Sequence, residues 1–179
     1  QRAPLPVAVL CGLGVGLICG VINGLILTKC RIPAFIVTLG TSSAFVGVAR
    51  ALTNLEAVPV TNETFNNIFG SGNLWVIPTL FLWTILITVI GQYVYTKTTF
   101  GRSTLAVGGN ESAARYSGID VDKIKFWAMV ICAVAASCAG ILYTGRMHGA
   151  RYTYGENDSM NIIAAVVIGG TSFSGGKGT

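Results

Sequence analysis

The residues able to do bond chemistry are few in this chain, and their spacing assembles no familiar site. There are seven acidic side chains and one histidine among 179 residues. That histidine, His148, stands in a polar stretch with Arg146, Arg151, Glu156 and Asp158. Such a cluster is a solvated loop or a docking surface rather than a general base, because no nucleophile accompanies it. Cys11, Cys19, Cys30, Cys132 and Cys138 form no CxxC pair and no metal-ligand spacing, and four of them sit inside apolar runs as small helix residues. The end of the chain, from Gly169 to Thr179, is rich in glycine. A phosphate loop needs Gly, four residues, then Gly-Lys-Ser/Thr; counting back from Gly176-Lys177 the first position is Thr171, and Gly178 follows the lysine. A dinucleotide fingerprint fails as well, since Gly12 and Gly14 are followed by Leu17 at the third position. No catalytic residue, metal site or cofactor is therefore assigned.

The elements around these residues explain the scarcity. The chain is 52% hydrophobic and 11% charged, with a mean hydropathy of +0.66. Roughly a quarter of an ordinary soluble domain is charged, so this composition cannot cover a water-facing globule. The net charge of +5 is spread between apolar runs, not gathered on one face, which argues against nucleic acid. Charge-free runs, the second ending at Ala49, set the expected spans at about 5–28, 32–50, 74–96 and 126–145. The first, as a helix, would measure about 36 Å, more than the ~30 Å hydrocarbon core. A fifth apolar stretch, Ile162 to Gly170, is too short to cross alone and reads as a partial or re-entrant segment. The expectation is all-α: a polytopic transmembrane helical bundle in one domain, 1–179, with about four full spans. Gln1-Arg2-Ala3-Pro4 does not resemble the basic start of a secretory leader, so the first run is expected to be a span.

Details within the runs support this. Gly12, Gly16, Gly20 and Gly24 recur every four residues, giving one helix face that a neighbouring backbone can approach. Trp75 at one end of the third run and Tyr93 and Tyr95 at the other match an aromatic belt, with Pro78 in the first turn. Pro33 opens the second run in the same way. Lys29, Arg31, Lys97, Arg102, Arg115, Lys123 and Lys125 fall on one side, against Arg2, Arg50, Arg146 and Arg151 on the other, so the first set is expected in the cytoplasm. The polar stretch from about Asn54 to Asn73 is then an external loop.

The cytoplasmic loop, 97–125, encodes a short helix. Asn110 suits an N-cap, Glu111 suits the positive helix start, and Gly118 suits the position after the helix end. Two turns are not stable alone in water, so the membrane domain or a partner must hold them.

Phe100-Gly101-Arg102, then Ala106-Val107-Gly108-Gly109-Asn110-Glu111, Ala114, Gly118 and Ile119, resembles the cytoplasmic coupling segment of ribose/xylose/arabinose-type ABC permeases. Ile32-Pro33-Ala34-Phe35-Ile36-Val37-Thr38-Leu39 resembles the start of a middle span of that family, and Ile163 to Ser172 with Gly175-Gly176-Lys177-Gly178 resembles its second glycine-rich segment. The resemblance implies a permease subunit of an ATP-driven sugar importer, multi-pass in a bacterial inner membrane and surrounded by lipid. Its implied partners are an ABC ATPase subunit, a periplasmic or lipid-anchored sugar-binding protein, and a second permease subunit, identical or paralogous. Coupling to the ATPase would fall to Gly109, Asn110, Glu111, Ala114, Arg115 and Gly118. Asn23 and Thr38 could line the sugar path, together with a broken helix at Gly169, Gly170, Thr171 and Ser172. Permeases of this kind have more spans, so the chain is expected to be a central fragment. The alternative is an ATPase-independent carrier or channel, which would want an ionisable residue inside a span; the four runs hold none.

Overall fold

In lipid an open backbone N–H or C=O has no water to bond, so an apolar run long enough to span must close its hydrogen bonds internally as a helix. The computed structural model describes residues 5–30, 32–74, 77–155 and 158–170. It holds four helices long and apolar enough to cross a membrane: α1 (Leu5–Cys30), α2 (Ala34–Thr53), α4 (Thr79–Lys97) and α7 (Val121–Met147). Between them lie β1 (Val58–Pro59), α3 (Glu63–Asn66), β2 (Asn73–Leu74), β3 (Ile77–Pro78), α5 (Thr99–Gly109) and α6 (Glu111–Tyr116). After α7 come β4 (Gly149–Ala150) and α8 (Asp158–Ile168). The architecture is an all-α polytopic bundle.

Local chemistry shifts three of the expected boundaries. Pro33 and Pro78 do not lie within the first turns of α2 and α4. Both have extended backbone, ψ 136° in each, and stand just before the helices. A proline disfavours helical backbone in the residue before it, so neither helix takes in the apolar residues ahead of its proline. Ile77–Pro78 pairs instead with Asn73–Leu74. At α7 the shift is the other way. Asp120 accepts a hydrogen bond from the Lys123 amide, and this cap starts the helix at Val121, ahead of the first charge-free residue. Trp75 lies outside the described residues, as do Arg2, Arg31, Glu156 and the end from Thr171 onward.

The tightest packing joins α1 to α7. Gly16, Gly20 and Gly24 are buried there. A Cβ on Gly20 would stand 2.8 Å from that of Ala133 and 2.9 Å from the Val130 Cα; one on Gly24 would meet the Phe126 ring at 2.7 Å. Gly12, the first of the four, has looser contact, 3.4 Å from Ile141. With no water to expel, such close backbone approach is what van der Waals packing between membrane helices requires.

The stretch expected as an external loop has more structure than that. β1 pairs antiparallel with β4, Val58 opposite Ala150. Asn62 caps α3 by accepting from the Thr64 and Phe65 amides. The chain then runs through a π turn, Asn67–Ser71, that lays Gly70 on the backbone of Gly145 and Arg146, where a Cβ would overlap main-chain atoms. Phe69 stacks on Trp83 at 5.6 Å, and the Trp83 indole N–H donates to the Ile68 carbonyl at 3.1 Å. This end also carries the turn between β4 and α8. The opposite end gathers the α1–α2 junction with α5 and α6.

Candidate functional site

The segment linking α4 to α7 is built from one cap to the next. Thr98 leaves helical geometry, donates its hydroxyl to the Val94 carbonyl at 2.5 Å and accepts from the Gly101 amide at 3.2 Å. That cap starts α5, a helix not expected from the sequence. Gly101 is buried, and any Cβ there would overlap the Tyr95 carbonyl oxygen; only glycine lets α5 fold back so closely on α4. Asn110 then serves two helices. Its amide closes α5 on the Ala106 carbonyl at 3.2 Å, and its side chain opens α6 by accepting from the Ala113 amide at 3.0 Å. Gly118 ends α6 in left-handed backbone, φ 81°. The Gly118 amide bonds the Arg115 carbonyl and the Ile119 amide the Ala114 carbonyl, both at 3.0 Å, the paired closure that glycine favours after a helix.

This short helix has two unlike sides. Ala114 is buried, as is Val121 at the start of α7. Charges brace the helix to α7. Arg115 donates to Asp122 at 3.0 Å and to Glu111 at 3.4 Å, and Lys125 donates to the other Glu111 oxygen at 2.7 Å. Lys123 pairs with Asp120 at 2.9 Å. The Lys125 hydrogen bond, with help from Arg115, holds Glu111 below its ordinary value. Asp122 holds the Arg115 guanidinium above its own, and Lys123 lowers Asp120 through its ammonium and its amide. Every member is well exposed to solvent, so screening leaves each pair weak; the network sets geometry more than stability. On the other side Tyr116 is 93% exposed.

Thus Asn110, Glu111, Ala114, Arg115 and Gly118, each expected to touch a partner, also have work inside the chain: two caps, two braces and a buried contact. Gly109 closes α5, with open space where its Cβ would be. Their exposed side carries Tyr116, a residue the sequence pattern did not single out. An aromatic residue that cannot be buried by its own helix was the available signal. A cavity of about 670 Å³ lies beside the brace, between Glu111, Arg115, Asp122 and Lys125 on one side and Thr28, Ile32, Pro33 and Ala34 on the other.

Of the expected pathway residues, Asn23 lies on α1, Thr38 on α2, and Gly169 and Gly170 just after α8. Asn23 is half-buried on α1, with its Oδ1 unpartnered among the described residues. Thr38 bonds back to the Ala34 and Phe35 carbonyls at 3.0 and 3.1 Å. Gly169 and Gly170 close α8, Gly170 with φ 89°, while Thr171 and Ser172 lie outside the described residues. No group of His, Cys, Asp and Glu among the described residues could hold a metal ion.

Among the described residues, four helices long and apolar enough to span, with a capped, braced helical segment between two of them, define a multi-pass membrane protein. A match to the family described as "Branched-chain amino acid transport system / permease component" covers residues 1–176, and the chain belongs to that family. Among curated relatives, it is 40% identical over 159 residues to the ribose import permease protein of Bacillus subtilis, covering 87% of this chain and 49% of that one. It is 39% identical over 176 residues to the ribose import permease protein of Escherichia coli, covering 96% and 54%. The D-allose transport system permease protein of Escherichia coli is 34% identical over 175 residues, covering 98% and 53%. The chain spans about half the length of these relatives. No solved structure gives a significant match.

Proposed function

We propose that this chain is part of the membrane-spanning subunit of an ATP-driven, binding-protein-dependent monosaccharide importer, working by alternating access in a bacterial inner membrane. The relatives named for ribose import and D-allose transport support the substrate class. ATP hydrolysis falls to a separate ATPase subunit, and this chain performs no bond chemistry. A sugar-binding protein delivers substrate, and a second permease subunit completes the path. Gly109, Asn110, Glu111, Ala114, Arg115 and Gly118 form the coupling element, with Asn23, Thr38 and the segment from Gly169 to Ser172 toward the pathway.

The observation that carries the reading is α6 itself: a helix of six residues, capped at both ends, braced by charge to α7 and presenting Tyr116 outward. Motion of a bound ATPase would pass through that brace into α7. The test is co-purification of the full-length permease with its candidate ATPase from detergent. Tyr116→Ala, on the exposed side, is expected to weaken association at least about tenfold, as loss of a central aromatic contact does. Ala114→Arg, on the buried side, is expected to abolish it by displacing the helix. If no ATPase associates with folded wild-type protein, the coupling reading is wrong and an ATPase-independent carrier takes its place.

A further inference from the structure

The stretch 97–125 carries three acids, Glu111, Asp120 and Asp122, and each is already matched. Arg115 and Lys125 hold Glu111, Arg115 holds Asp122, and Lys123 holds Asp120. Lys97 and Arg102 are left over: both are exposed, and neither has an ion-pair partner among the described residues. The fold puts these two cations at one corner. Lys97 is the last residue of α4, Thr98 breaks the helix, and Arg102 stands in the first turn of α5. The Arg102 amide bonds the Thr98 carbonyl at 3.3 Å, and buried Gly101 lies against the Tyr95 carbonyl. The backbone therefore holds the two positions close across a tight turn.

Depth in the membrane follows from length. Helix α4 has 19 residues, about 29 Å at 1.5 Å per residue, which just crosses the ~30 Å hydrocarbon core. Its last residue therefore stands where acyl chains give way to headgroups. Leu86, Val89, Ile90 and Tyr93 are exposed on α4, and their three- and four-residue spacing sets them on one face that leads down the helix toward Lys97. Tyr93 and Tyr95 add amphipathic rings that favour the headgroup boundary. A cation pair at this depth, above an apolar track, fits an anion that carries its own acyl chains. The lysine offers a point charge, and the planar arginine fork can bond two phosphate oxygens at once. We propose that an anionic phospholipid docks at this corner, its headgroup phosphate between Lys97 and Arg102 and one chain along Leu86, Ile90 and Tyr93. The site goes beyond the transport reading and holds whichever solute is carried.

The experiment titrates the full-length permease, in a neutral detergent, with fluorescent phosphatidylglycerol or phosphatidylcholine. Phosphatidylglycerol is expected to bind at least about tenfold more tightly. Lys97→Gln and Arg102→Gln should each weaken it about fivefold, the effect of one basic residue beside an anionic surface, and leave phosphatidylcholine unchanged. Lys97→Arg and Arg102→Lys keep the charge and should bind nearly as wild type does. Lys123→Gln, whose charge is matched by Asp120, should weaken binding less. The site is overturned if the two lipids bind equally, or if both glutamine variants bind phosphatidylglycerol like wild type. It is overturned equally if the charge-keeping variants lose as much as the glutamine variants, or if Lys123→Gln does. Full competition by millimolar inorganic phosphate would make the corner a phosphate site and refute the lipid. Loss of ATPase association in the glutamine variants, with lipid binding intact, would assign the corner to that partner instead.

Discussion

The two ends of this molecule are held by different physics. At the α6 end, side chains do the holding: Thr98 and Asn110 cap α5 and α6, and Glu111, Arg115, Asp122 and Lys125 tie α6 to α7 through solvent-exposed ion pairs. At the strand end, backbones touch directly. Gly70 lies on Gly145, β1 hydrogen-bonds to β4, and Phe69 stacks on Trp83. Exposed ion pairs are weak and adjustable, whereas backbone contact tolerates no added atom. A segment that must move with a partner suits the first construction, and a fixed frame around a path suits the second.

The largest expected effect follows from the second construction. Gly70→Val would drive two methyl groups into the Gly145–Arg146 backbone. Overpacking of this kind typically costs ~1–3 kcal/mol or more. Thermal unfolding of the purified full-length protein in detergent should show a clear drop in midpoint. Gly91→Val, on α4 with nothing within 4 Å of the new Cβ, should shift it little. Equal shifts for the two would show that the strand end is not a fixed frame.

Next in size is the helix cap at the other end. Asn110→Ala removes the acceptor for the Ala113 amide, a loss of about 1 kcal/mol. Because α6 has only six residues, that loss falls on the whole helix, so ATPase association should weaken by about fivefold, the equivalent of ~1 kcal/mol. Asn110→Ser, which can still cap, should recover most of it. Association that ignores both variants would mean that α6 order is irrelevant to docking.

The contrast also explains what could be read in the sequence. The spans were legible because lipid permits little except a helix, and the glycines of α1 were legible because their four-residue spacing places them on one face. The α6 caps were legible too, Asn110 and Gly118 each acting within four residues of themselves. The pairing of Asp122 with Arg115 and of Lys125 with Glu111 was not, since both cross the turn at Gly118 and need its geometry first. The strand end hid for the same reason: β1 meets β4 across about half of the chain, and a glycine such as Gly70 gives no sign of which backbone it will touch. Helix α5 was missed because its start depends on Thr98, a single hydroxyl, and on the space left by Gly101.

The smallest effect is the most specific to the brace. Glu111 is held below its ordinary value of 4.5, first by Lys125. A carboxylate lowered on folding contributes stability that is fully present above its unfolded value and is lost as pH falls through its folded value. The brace should therefore be intact at neutral pH and fade below about pH 4.5. Glu111→Gln removes the charge at every pH, yet both pairs are exposed, so its effect on the unfolding midpoint should be small. Its effect on ATPase association should instead depend on salt. Wild-type coupling should decline as ionic strength screens the brace, whereas Glu111→Gln should start lower and respond less. Parallel salt dependence for wild type and Glu111→Gln would show that α6 is positioned by its caps and the buried Ala114 contact alone, with the charges left to steer the approach of the partner.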